Sequence, residues 1–274
     1  MKAKMTSVCC VLSVVLITSC TNKSTMNDVV PIHDTFKLQS KELKEERVIN
    51  VWTPRDYASG QDSLPVIYMA DGGIAEDFPH IAHTVEALIL EQKIPAVILV
   101  GIENTQRRRD LTGFTTVAKD KEIAPEVGGS QRFRAFIREE LVKEIDQRYR
   151  TKAEKTILGE SAAGLFVLET FFLEPELFTN YIAFDPSLWW NDHYLVRTAK
   201  VNLEKNKPLE KKLWFAGSNA TDIAPYTKEL ATILTENKDD ALQWNYVDEP
   251  NEGHTTIFRA TKARALIWAL NDSK

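Results

Sequence analysis

Cysteine is missing from almost the whole chain: Cys9, Cys10 and Cys20 are the only three, and all lie in the first twenty residues. The remaining body can form no disulfide and offers no thiolate to a substrate or to zinc. Histidine is scarce too, five in 274 residues, and the only close pair is His80 and His83, whose spacing suits packing or surface positions. Neither a metal nor an organic cofactor is expected. Charge of one sign is also lacking: 34 basic residues stand against 39 acidic ones, scattered among each other, for a net charge of −5. Without a basic stripe, no nucleic-acid partner is expected. Repeats and low-complexity tracts are absent, and a 43% hydrophobic composition over this length suits one globular α/β domain.

The N-terminus reads separately. Lys2 and Lys4 precede the apolar run "VCCVLSVVLITSC", shorter than the roughly 18 to 20 residues that span a bilayer, which marks an export signal. Leu16, Ile17, Thr18 and Ser19 before Cys20 resemble a bacterial lipoprotein cleavage box. An ordinary signal peptide is the alternative, but the one cysteine left after cleavage would be the one that carries lipid. The expected organisation is a signal peptide over 1–19, a polar tether over 20–30 bearing a lipidated Cys20, and a catalytic domain over 31–274. The product would be an exported, membrane-anchored bacterial lipoprotein that meets the membrane only through this anchor.

From residue 46 onward, short apolar runs alternate with longer periodic ones. "RVINVWTP", "LPVIYMADGG", "PAVILVGI", "KTILGES", "NYIAFDP", "KLWFAG" and "LQWNYV" predict strands, being rich in Val, Ile and aromatics and bounded by Pro, Gly or Asp. "EDFPHIAHTVEALILEQK", "SQRFRAFIREELVKEIDQRY", "AAGLFVLETFFL", "APYTKELATILTEN" and "TTIFRATKARALIWAL" carry apolar residues at helical spacing. This alternation predicts an α/β fold with a mostly parallel sheet covered on both faces, preceded by an antiparallel hairpin in "DTFKLQSKELKEERVINVW".

In "TILGESAAGLF" a predicted strand ends and a helix begins around Ser161. That is where open α/β sheets place reactive groups, and it has the form of a nucleophile elbow. The motif wants glycine two residues before and two after the serine; Gly159 fits, while Ala163 departs by one methyl. Ser161 would serve equally as a simple helix N-cap. A nucleophilic serine needs a base and an orienting acid, in the chain order serine, acid, histidine for this fold. His33 precedes the core, His80 and His83 lie in a helix, and His193 follows "WWND", which leaves His254 in "NEGHTTIF" as the base. Asp222, in the loop after "KLWFAG", is the expected acid; it would also suit a helix N-terminus, and Asp185 in "AFDP" is its rival. Two backbone donors for an oxyanion are expected from Ala162, after the serine, and from Gly73 in "MADGG". Trp189 and Trp190 either stack on a flat substrate group or sit in the core, and Trp189 is a candidate substrate contact.

Five ordered blocks, "YMADGG", "ILVGIENTQRRRDLT", "GGSQRFRAFIREELVKEIDQRYR", "LGESAAGLFVLETFFLEPELFTNYIAFDPSLWW" and "GHTTI", resemble the putative-esterase branch of the α/β-hydrolases, the group of the enterobactin-type siderophore esterases, related to esterase D. The resemblance runs from about Thr35 to Leu270. It implies an α/β-hydrolase fold, Ser161 as nucleophile, His254 as base, Gly73 as second oxyanion donor, and Arg107 as a substrate-binding arginine. It implies no cofactor, and it supports Asp222 only weakly, since the family varies there. The expected activity is serine carboxylic-ester hydrolysis of a small-molecule ester. The alternative is a non-catalytic lipoprotein that holds a siderophore or glycan on the same scaffold; no protein partner is identified.

Overall fold

The computed structural model describes residues 29–237 and 239–271. The signal peptide, Cys20 and nearly all of the proposed tether lie outside the described residues. Eight strands form one sheet: β1 Asp34–Gln39, β2 Glu46–Trp52, β3 Leu64–Met69, β4 Ile98–Ile102, β5 Thr151–Glu160, β6 Asn180–Phe184, β7 Lys212–Gly217 and β8 Gln243–Asp248. Their order is β1-β2-β4-β3-β5-β6-β7-β8. β1 pairs with β2, and β2 with β4, antiparallel; every other pairing is parallel. The helices are α1 Phe78–Leu90, α2 Arg107–Leu111, α3 Ala118–Ile123, α4 Ser130–Phe136, α5 Val142–Arg148, α6 Ala162–Leu173, α7 Trp190–Asn206, α8 Ala224–Asn237 and α9 Ile257–Leu270. A single π-turn, Ile137–Leu141, joins α4 to α5.

The alternation of side chains along each central strand explains the two helical layers. Val66 and Tyr68 of β3, Tyr181 and Ala183 of β6, and Leu213 and Phe215 of β7 pack with α4, α6 and α7. Their neighbours Ile67, Met69, Ile182, Phe184, Trp214 and Ala216 pack with α1 and α9. Because successive residues point to opposite faces, a strand buried on both must be apolar throughout, and these strands are. The fold is the expected α/β-hydrolase arrangement, with its antiparallel hairpin at the edge.

Three helices lie outside the stretches read as helical, the short α2 and α3 and the long α7. α7 begins at the last residue of "SLWW", in a stretch given no element from the sequence because its polar residues mask the pattern. Its apolar face is Leu195, Val196, Ala199 and Leu203, all buried. Tertiary burial of that stripe outweighs the weak local signal. At its start, Asn191, Asp192 and His193 hold left-handed backbone angles, with φ of 51°, 52° and 46°.

Candidate active site

The end of β5 turns sharply into α6, and Ser161 occupies the turn with φ 58° and ψ −116°. That conformation is strained for a residue with a side chain. The surroundings hold it in place: Ser161 N–H donates to Phe184 O at 2.9 Å, while its carbonyl accepts from Leu165 N–H at 2.9 Å and Ser187 N–H at 3.1 Å. Gly159 is obligatory, since a Cβ there would lie 2.6 Å from Ala163 Cβ and 2.7 Å from that residue's backbone. The methyl of Ala163 is therefore tolerated: it is buried over the bare Gly159 Cα. The strand–helix crossing needs one small side chain at this contact, and the glycine supplies the space.

His254 lies between β8 and α9, with Nε2 3.1 Å from Ser161 Oγ. Its Nδ1 is 2.6 Å from Asp185 Oδ2. Asp185 follows β6, is fully buried, and accepts from Ser218 N–H to Oδ1 at 2.7 Å and from Ser218 Oγ to Oδ2 at 2.8 Å. The Asp185 oxygen facing Nδ1 accepts the proton of that ring nitrogen, which leaves Nε2 free to accept from the serine. The hydrogen bond to Asp185 is the main reason the His254 pKa is raised; burial opposes it, and the charges of Glu160, Asp185 and Asp222 add to it.

This corrects the expected acid. Asp222 is exposed in the loop before α8 and reaches His254 only through its charge. The loop after β7 contributes Ser218 instead, which clamps the carboxylate of the preceding strand. The carboxylate facing the histidine is thus that of Asp185, the rival to Asp222 in the sequence and one strand earlier. Sequence reasoning also missed Ser218 and Ser187, whose Oγ lies 3.4 Å from Ser161 Oγ; serines in loops carry no distinguishing signal.

The remaining candidates fall out as follows. Ala162 opens α6, so its N–H has no carbonyl partner within the helix and is a donor at the nucleophile. Gly73 is not a free donor: its N–H donates to Glu76 Oε2 at 2.7 Å. The same carboxylate accepts from Asn104 Nδ2 at 2.8 Å, in the manner of a residue that caps the turn leading to α1. Gly72 pins this loop, since a Cβ there would meet Ile102 N at 2.2 Å. Arg107 forms two bonds to Asp71, Nε to Oδ1 at 2.6 Å and Nη2 to Oδ2 at 2.7 Å, and its Nη2 also donates to Glu160 O at 3.4 Å. The guanidinium thereby joins the β3 loop to the nucleophile turn. Arg107 and Trp189 line, with Ser161, a small cavity of about 160 Å³. The two tryptophans divide: Trp189 is half-buried on that cavity, whereas Trp190 is buried and donates from Nε1 to Gly113 O at 3.1 Å. Glu160, beside the serine, has its carboxyl pushed up to about 7, chiefly by burial; His254 pulls it down and Asp77 pushes it up.

The arrangement can activate a hydroxyl, hold a developing negative charge at Ala162, and protonate a leaving group. Known proteins resemble the chain in sequence and in fold. The pattern of the family described as Putative esterase matches residues 40–270. The chain is 32% identical over 232 residues to the ferri-bacillibactin esterase BesA of Bacillus subtilis, covering 76% of this chain and 79% of that protein. It is 26% identical over 240 residues to the apo-salmochelin esterase of Escherichia coli, covering 81% and 74%. Among solved structures, an IroE-like serine hydrolase from Shewanella oneidensis superposes with a TM-score of 0.78 at 27% identity, covering 87% of this chain and 80% of that one.

Proposed function

We propose, from the premise that this chain belongs to the Putative esterase family and is an ester hydrolase, that it works through an acyl-enzyme on Ser161 and acts on siderophore-type esters. The observation that carries the mechanism is the unbroken chain from Asp185 through His254 to Ser161 Oγ, at 2.6 and 3.1 Å. Two relatives named for siderophore esters support the substrate class.

Each step follows from this geometry. His254 Nε2 takes the Ser161 proton as Oγ attacks the ester carbonyl, and Asp185 stabilises the resulting imidazolium. Ala162 N–H holds the oxyanion. The Gly73 N–H is held by Glu76 and serves as a second donor only where that bond is open. The imidazolium then gives its proton to the departing alkoxide, the alcohol leaves, and a water deprotonated by His254 cleaves the acyl-serine ester. Arg107 acts through position: by holding Asp71 and Glu160 it fixes the two loops around the nucleophile. The N-terminal segment complements this reading, with Cys20 as the lipidated residue of an exported, membrane-anchored protein.

The test is labelling with a fluorophosphonate, which requires an activated serine, together with hydrolysis of p-nitrophenyl acetate. Wild type should label and turn over. Ser161→Ala should do neither while keeping its melting temperature, losing on the order of 10⁶ in kcat because the triad acts as a unit. Near-normal turnover by Ser161→Ala would remove it from the chemistry.

A further inference from the structure

The chain leaving β6 touches both ends of the catalytic series. Asp185 Oδ2 holds His254 Nδ1 at 2.6 Å, and two residues later Ser187 Oγ lies 3.4 Å from Ser161 Oγ. The turn that carries them is shaped for this. Asp185 takes φ 43°, a left-handed angle that costs a residue with a side chain and persists because its bonds impose it: its N–H donates to Ala216 O at 2.9 Å, beside the two bonds its carboxylate accepts from Ser218. Gly164 lets the turn lie against α6, since a Cβ there would crowd Phe184 O at 3.0 Å and Pro186 Cα at 3.1 Å. Ser187 is 6% exposed, and its backbone is tied on both sides, its N–H donating to Ser161 O and its carbonyl accepting from Trp190 N–H, each at 3.1 Å. Its hydroxyl is therefore carried by a backbone fastened to the very residue whose Oγ it meets.

The direction of that contact follows from its neighbours. His254 Nδ1 donates to Asp185, so Nε2 presents a lone pair and accepts from the Ser161 hydroxyl. Ser161 Oγ then has only lone pairs left for Ser187, whose O–H is the donor. Ser161 Oγ is also the one hydrogen-bond partner of Ser187 Oγ among the described residues. At 3.4 Å the bond is longer than the roughly 2.7 to 2.8 Å typical of hydroxyl donors, so it contributes little while Ser161 is a neutral alcohol.

We propose that Ser187 is a further catalytic residue, whose hydroxyl donates to Ser161 Oγ as that oxygen departs from the acyl-enzyme. The inference rests on the acyl-enzyme reading and deepens it, giving the leaving oxygen of the second half-reaction a donor of its own. In the acyl-enzyme Oγ is an ester oxygen, a weak acceptor. Water deprotonated by His254 adds to the carbonyl carbon. When the tetrahedral adduct collapses, the C–Oγ bond breaks, its electron pair passes to Oγ, His254 Nε2 returns the proton to Oγ, and the carboxylic acid is released. Negative charge gathers on Oγ during this collapse, and a hydrogen bond to a charged oxygen is shorter and stronger than one to a neutral oxygen. An interaction that grows from ground state to transition state accelerates the step. Acylation gains less, because it starts from a serine that Ser187 already contacts. Ala162 N–H and Ser187 O–H thus serve different oxygens of the adduct, the first the carbonyl oxygen and the second the serine oxygen.

The test separates the two half-reactions of p-nitrophenyl acetate hydrolysis. At saturating ester, kcat and the fraction of enzyme carrying acetyl on Ser161, read by acid quench and intact mass, together give the acylation and deacylation constants. Ser187→Ala should slow deacylation by roughly tenfold, the worth of one hydrogen bond to a charged oxygen, while acylation and fluorophosphonate labelling stay within about threefold and the melting temperature holds. Ser187→Cys, which fills nearly the same space with a weak donor, should behave as Ser187→Ala does. A deacylation constant within about twofold of wild type in Ser187→Ala overturns the proposal, as does an equal fall in both constants. So does a Ser187→Cys enzyme that matches wild type while Ser187→Ala is slow, the mark of a packing role. A wild-type protein that neither labels nor hydrolyses ends the esterase reading and this proposal with it, whereas normal wild-type turnover beside an unaffected Ser187→Ala ends this proposal alone.

Discussion

Replacing Asp185 by Asn changes one atom in the core and tests the assignment that differs most from the expected one. The Asp185 carboxylate receives three donors: His254 Nδ1, Ser218 N–H and Ser218 Oγ. An amide has one acceptor oxygen, so at least one of these contacts becomes donor against donor. If the amide nitrogen faces His254, Nδ1 must become the acceptor, the proton moves to Nε2, and Nε2 can no longer take the Ser161 proton. Loss of the correct tautomer costs about four decades in kcat, or roughly 5.5 kcal/mol on the barrier. The pH profile should move as well. His254 must be neutral to act, so kcat/KM rises with pH through its pKa, and the bond to Asp185 is the first cause of that pKa being raised. Asp185→Asn should therefore shift the acidic limb to lower pH while lowering the plateau. Stability should change little, because the lost charge-assisted bonds are offset by no longer burying a charge. The assay is kcat/KM for p-nitrophenyl acetate from pH 5 to 9, with thermal melting alongside and Asp222→Asn as the control. Asp222→Asn, which removes only a distant charge, should stay within a few-fold of wild type. A loss of less than tenfold in Asp185→Asn, with a large loss in Asp222→Asn, would refute the argument.

Glu160→Gln removes the charge that Glu160 carries above its own pKa of about 7 and that raises the His254 pKa, so the upper part of the acidic limb of kcat/KM should move to lower pH; a limb that stays in place would show that Glu160 does not act on His254. Gly72→Ala puts a methyl 2.2 Å from Ile102 N in a fully buried loop, which should cost about 3 kcal/mol and lower the melting temperature by roughly 5 to 10 °C; an unchanged melting curve would contradict the packing. If Cys20 carries lipid, the wild-type protein should sediment with membranes and Cys20→Ser should not; a wild-type protein wholly in the soluble fraction would end that reading.

The sequence by itself determined what depends on local pattern. Strands such as "KLWFAG" and helices such as "AAGLFVLETFFL" match their observed bounds because burial on both faces of a strand, or nearly all round a helix, writes itself into residue order. Ser161 was legible because the strand–turn–helix crossing demands Gly159 nearby, and His254 because so few histidines compete. Tertiary structure alone decided the contacts between distant loops. Asp185 and His254 are 69 residues apart, and nothing local tells which loop carboxylate will face the imidazole across the sheet edge. Likewise, that the Gly73 N–H is held by Glu76, and that Trp189 is half-buried while Trp190 is buried and bonded to the Gly113 carbonyl, are matters of which surfaces meet. Residue order specifies the pieces and their faces; the sheet's crossovers bring its distant loops to one edge, and only that closure selects the partners.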